Sequence, residues 1–353
     1  MRGANRWLWS VAPAVHYNWG MAKPSSLRRA QPPSTTSRNA GYYEKPSLSL
    51  DEQIDTLSGR GLLIGDREQA AVILQHIGYY RLSGYTQAFY IEHEQFAGGT
   101  TIEYVDDAYR FDQRLQNLIW RAVSYLEVDL RSSLSRLVAE FGPFAHARFR
   151  EHPLLFRTAG QQAEAFHRDW LSDLRRDIDR NPSAFTTHFR TQYPQEPDLP
   201  IWMAVETMTF GRLSKLLGLI DAKAIRPICS RYGMNARPFV SAVRALSYVR
   251  NVCAHHQRLW DLRLTFQPEL PRGQDFHNVP ADRVFVVVLL LLKMLSRLTH
   301  RRNFYHEWAN EVRMLLFRPP QVADPTITLG LPDRWQQLGL WPRSGPESTA
   351  REG

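Results

Sequence analysis

Arg250 and His255 stand five residues apart in the stretch YVRNVCAHHQRLW, Tyr248 to Trp260, with Asn251 directly after the arginine. These residue types suit phosphoryl chemistry that needs no metal ion. A guanidinium is a permanent positive fork that matches phosphate. An imidazole takes and gives a proton near neutral pH. Together they suit attack of an RNA 2′-hydroxyl on its neighbouring phosphate. The imidazole takes the proton, and the guanidinium stabilises charge building on the phosphoryl oxygens. The products would be a 2′,3′-cyclic phosphate and a 5′-hydroxyl. Such a displacement wants a base and an acid on opposite sides of phosphorus. A symmetric dimer would bring two copies of Arg250 and His255 together at its interface. The competing reading is a solvated helix face, since this spacing also arises by chance.

The stretch reads as part of an amphipathic helix that runs on through Trp260. At about 100° per residue, Ala242, Leu246, Val249, Cys253 and Trp260 point one way and form a core stripe. His256 falls close to that stripe, which predicts a packed, hydrogen-bonded histidine at the core's edge. Arg244, Tyr248, Asn251 and His255 fall on the opposite face, and Arg250 lies on the flank. Asn251 is one turn before His255, where its amide can reach the imidazole and set its tautomer. Neighbouring helical side chains point about 100° apart, so His255 and His256 make a poor zinc site. Cys253 on the core stripe reads as inert.

The elements that must carry these residues read as helices. SLDEQIDTLSGRGL opens on Ser49 with Glu52 three residues later, a capping box. REQAAVILQHIGYY is a second helix. The longest runs from VDDAYRF to AEF, with Leu115, Ile119, Val123, Leu126, Leu130, Leu134 and Leu137 recurring every three or four residues, and Gly142-Pro143 stopping it. AEAFHRDWLSDLRRDIDR is a charged helix closed by Asn181-Pro182. Further helices begin at Trp202, Arg237, Arg283 and Phe304. GGTTIEYV is the best strand candidate. The expected fold class is all-α.

With 353 residues, 43% of them hydrophobic, the chain can bury a sizeable core. The net charge of +9 is uneven: residues 1–45 hold seven basic side chains and one acid. The basicity therefore belongs mainly to the tail and says little about a nucleic-acid-binding fold. Residues 1–42 read as a disordered basic tail, with MAKPSS at Met21 resembling a translation start and residues 1–20 an upstream extension. Residues 43–342 read as one folded unit and 343–353 as a loose end. Two cysteines without CxxC spacing point to a reducing, cytoplasmic setting. The apolar run Val284 to Leu292 is about half the ~20 residues that a membrane span needs. No cofactor, metal ion or membrane partner is expected.

RNVCAHH followed by RLW resembles the signature of the Abi-like (AbiD/AbiF-type) abortive infection proteins, of the HEPN superfamily. Arg250, Asn251 and His255 occupy the motif's arginine, polar and histidine positions. YEKPSLSLDEQIDTLSGRGL, IGYYRLSGY, YRFDQRLQNLIWRAVSYLEVDLRSSL, LPIWMAVETMTFGRLSKL and LGLPDRW resemble further landmarks, in order from about residue 43 to 340. The resemblance implies a HEPN-type helical bundle with additional N-terminal and C-terminal helices. It implies a bacterial role in phage defence or as a toxin, acting on RNA, and so favours the metal-independent endoribonuclease reading. An antitoxin or a non-coding RNA would be conceivable partners besides RNA and a second copy of the chain. The alternative from a different class is a HEPN module that binds RNA or protein without cutting.

By position, Glu127 and Arg131 on the long helix are supporting residues, with Glu127 orienting Arg250 or Arg131 contacting phosphate. The competing reading is a surface ion pair. His256 is a further supporting residue. Arg244, Tyr248, Arg258, Tyr80 and Arg81 are RNA-binding candidates through stacking and phosphate contact. For GYYRLSGY the other reading is a tight turn with aromatic packing. Arg212 and Lys215 read equally well as a solvated helix face.

Overall fold

The structure, a computed structural model, describes residues 46–157, 161–298, 302–320 and 325–342. Both sequence tails, 1–42 and 343–353, lie outside the described residues. Contacts divide the chain into Met1–Ser47 and Leu48–Gly353, and every element below belongs to the second unit.

Helices dominate, as the apolar periodicity requires. α1 (Leu50–Gly59) opens on the expected capping box, in which Ser49 and Glu52 satisfy each other's backbone N–H. α2 (Arg67–Ile77) is capped by the Asp66 carboxylate. It stops at Gly78, whose φ of +83° is open to glycine without strain. α3 (Tyr79–Thr86) follows at once, so YYRLSGYT is a helix where the sequence suggested either an extension of α2 or a turn. A two-stranded antiparallel hairpin, β1 (Tyr90–Glu92) and β2 (Gln95–Phe96), precedes the long helix. The expected strand GGTTIEYV is not in it. Thr101 caps the next helix through its side chain, and that local bond outweighs the β-branched composition.

α4 (Ile102–Ala139) is the axis of the fold. Its whole apolar stripe is buried, and α3, α7 (Ile201–Thr207), α8 (Phe210–Leu219), α10 (Ala236–Ala254), α11 (Val284–Leu295) and α12 (Arg302–Leu316) all pack on it. α11 is apolar all round and buried except at Lys293, as an all-apolar helix must be. α5 (Gln161–Arg180) and α6 (Ala184–Gln192) stand to one side, where α5 packs on α8. α9 (Arg226–Arg231) leads into α10, and α13 (Pro325–Thr328) is a single turn near the end. Among the described residues, no helix is long and apolar enough to cross a membrane.

Candidate active site at the end of the tenth helix

α10 carries Arg250 and Asn251 and stops at Ala254, six residues short of Trp260. His255 is the C-terminal cap, and its N–H bonds to the Asn251 carbonyl. His256 takes a left-handed conformation, φ +50°. Its N–H reaches the Cys253 carbonyl at 3.0 Å, and the Gln257 N–H reaches Val252 at 2.9 Å. This pair of bonds is the Schellman ending, which normally has glycine at the left-handed place. The sequence offers no glycine or proline there, so the stop was not legible.

That ending corrects the reading of His256. It is not packed at the core's edge but exposed, because the chain reverses there and carries the ring away from the core stripe. His255 is exposed as well. Ala242, Leu246, Val249 and Cys253 are buried as the wheel requires. Burial pushes the Cys253 thiol up to about 12, which keeps it an inert core residue. Trp260 is buried too, but through a different device.

That device is Asp112, on the apolar stripe of α4 and 0% exposed. Its carboxylate accepts the backbone N–H of Trp260 at 2.8 Å and of Leu259 at 3.1 Å. It also accepts the Tyr85 hydroxyl at 2.7 Å and the Gln116 amide at 2.9 Å. Gln116 further donates to the Gln257 carbonyl at 3.0 Å. From α3, Arg81 donates to the His256 carbonyl at 2.6 Å. Residues from α3 and α4 thus hold the chain at the left-handed residue and just after it. Burial lifts the Asp112 carboxyl to about 6, against the donors that pull it down. Asp112 and Gln116 were not singled out from the sequence. The signal was there, because an aspartate three residues before Leu115 and seven before Ile119 falls on the buried stripe.

Arg250 projects against α4. Its guanidinium carbon lies 4.9 Å from the Trp120 ring centroid, and its Nε is 3.8 Å from the Glu127 carboxylate. Its Nη1 donates to the Asn251 amide oxygen at 3.4 Å, so that amide is placed on the arginine rather than on the His255 ring. The Arg250 side chain stays 30% exposed. Trp120, unnoticed in the sequence, lies seven residues before Glu127 and therefore on the same face of α4. Glu127 also pairs with Arg131. The Arg131 guanidinium donates to the carbonyls of Val205 and, at 2.7 Å, Met208. It ties the end of α7 to α4 and is turned away from a phosphate contact.

The other candidates divide. Tyr80 is 85% exposed on α3, whereas Arg81 spends one nitrogen on the turn. Arg244 is exposed and stacks on Phe266, with its carbon 4.1 Å from the ring centroid, and Tyr248 is half-buried. Arg258 turns inward: it pairs with Asp261 at 2.9 Å and its Nη1 is buried. Arg212 is not on a solvated face, because Asp173 and Asp177 of α5 hold it between the two helices. Among the described residues, no three His, Cys, Asp or Glu side chains group to hold a metal ion.

The Asp112 and Arg81 braces, Trp120, Glu127 and the Arg250–His255 segment all lie within one stretch that matches a family model. The match covers residues 72–261, more than half of the chain, and its description is Abi-like protein. No match is found among curated proteins or among solved structures. The chain belongs to the Abi-like protein family.

Proposed function

We propose that the protein is a metal-independent endoribonuclease of the HEPN type that acts in abortive infection, the defence against phage. The observation that carries this reading is the end of α10. An exposed His255 caps the helix, and one and a half turns earlier Arg250 is held by a carboxylate and a tryptophan ring while remaining open to solvent. Arg250 would bind the phosphate oxygens of the scissile linkage and stabilise their charge. His255 would take the 2′-hydroxyl proton. Asn251, hydrogen-bonded to Arg250, would steady the guanidinium. Exposed Tyr80 and Arg244 would lie on the path of a single strand approaching that end.

A symmetric dimer facing its two sites is one source of the second proton-transfer group. Light scattering of the purified chain checks that. Cleavage of cellular RNA in EDTA, with end-group analysis, tests the activity. Cyclic phosphate ends that disappear in His255→Ala support it. Binding of RNA without cleavage by the wild type would favour the non-cutting module.

A further inference from the structure

The cyclising reaction needs a group to take the 2′-hydroxyl proton and another to protonate the departing 5′-oxygen. We propose that His256 is the second group, supplied by the same chain as His255. The proposal rests on the ribonuclease reading above.

Three observations converge on His256. The first is position. Had α10 continued, residue 256 would point about 60° from Cys253, at the margin of the core. The left-handed residue removes it from that margin and leaves it exposed beside exposed His255. The second is conformation. Glycine usually takes this place in helix endings of this kind because an L side chain is strained there. Histidine enters the left-handed region more readily than most L residues, and at φ +50° His256 does so without gaining burial. The third is fixation. Arg81 holds the carbonyl of His256, Gln116 holds that of Gln257, and Asp112 holds the N–H groups of the next two residues. The turn is therefore set by two other helices and not by its own sequence. Consecutive Cα atoms are about 3.8 Å apart, so the two side chains leave neighbouring points of the backbone, and the proposal sets them on either side of one phosphodiester.

The step balances within one chain. Neutral His255 takes the proton from the 2′-oxygen, and the O2′–P bond forms. Arg250 holds the non-bridging oxygens. The P–O5′ bond breaks as protonated His256 gives its proton to O5′. The products are the cyclic phosphate and the 5′-hydroxyl, and exchange with water restores both rings.

The test compares two oligoribonucleotides with the full-length protein. One has an ordinary scissile linkage. The other carries sulfur in place of O5′, which leaves as a thiolate without needing a proton. His256→Gly suits the left-handed turn, so its melting temperature is expected to match or exceed that of the wild type. It is expected to cleave the ordinary linkage about a hundredfold or more slowly, and the sulfur linkage within a few-fold of wild type. His255→Ala is expected to be slow on both. Wild-type rates for His256→Gly on the ordinary linkage would overturn the proposal and return the acid to a second copy. Equal loss on both linkages would also overturn it, leaving the ribonuclease reading intact. A wild-type protein that cleaves neither substrate overturns both.

Discussion

Two arginine sites on neighbouring helices are built in opposite ways. Arg212 on α8 is 11% exposed and meets two carboxylates of α5, Asp173 at 2.9 Å and Asp177. Arg250 on α10 is 30% exposed and meets one carboxylate, Glu127, at 3.8 Å, which is itself shared with Arg131. Its other support is the face of Trp120, a neutral ring. At the first site positive charge is neutralised to join two helices. At the second it is held more loosely and stays partly open to solvent, as the proposed phosphate contact would require. The number and reach of carboxylates around an arginine separate these two environments better than its position on a helical wheel.

That contrast can be broken by substitution. Arg212→Ala strands two partly buried carboxylates and is expected to lower stability by about 1–3 kcal/mol, measured by urea unfolding. Arg250→Ala removes a loose pair and a ring contact and is expected to lower it by less than about 1 kcal/mol. Similar losses at both would erase the distinction.

Asp112 carries the larger expected effect on the segment beyond His255. Asp112→Asn replaces an acceptor that serves two backbone N–H groups, a hydroxyl and an amide. A loss of about 2–4 kcal/mol is expected, together with increased hydrogen exchange at Leu259 and Trp260. Its carboxyl also gives a pH signature. With the folded value at about 6 and an unfolded value near 4, the folded protein holds the proton more tightly. This group's contribution to stability is therefore fully present below about pH 4 and lost as pH rises through 6. Asp112→Asn is expected to flatten that part of the stability–pH curve.

The smallest effect expected is at Trp120. Trp120→Ala removes a cation–π contact of about 0.5–1 kcal/mol, so Arg250 should be looser and cleavage a few-fold slower with little change in melting temperature. Phenylalanine at that position should restore most of the rate. Failure of that rescue would deny the ring its part in aiming the guanidinium.

Much of this architecture was legible. The period of the apolar residues revealed α4 and the all-apolar α11, and Ser49 with Glu52 revealed where α1 begins. The stretch from Tyr248 reads as part of an amphipathic helix, and α10 carries Arg250 and ends one residue before His255. What escaped were features decided by distant partners. α10 stops at Ala254 because its end is held by α3 and α4, across 141 to 175 residues of sequence. The glycines of GYYRLSGY suggested a turn. Only Gly78 makes one, while Gly84 lies inside α3, where an added Cβ would be 4.0 Å from the Arg258 guanidinium. Arg258 itself reads as an outward basic residue until its partner Asp261 is placed beside it.

The most direct test of the central claim is single-turnover cleavage of a defined oligoribonucleotide in EDTA by wild type, Arg250→Ala and His255→Ala. Cyclic phosphate and 5′-hydroxyl ends from the wild type, with each variant folded and slower by at least about a hundredfold, are the expected result. Cleavage by both variants at the wild-type rate would contradict it.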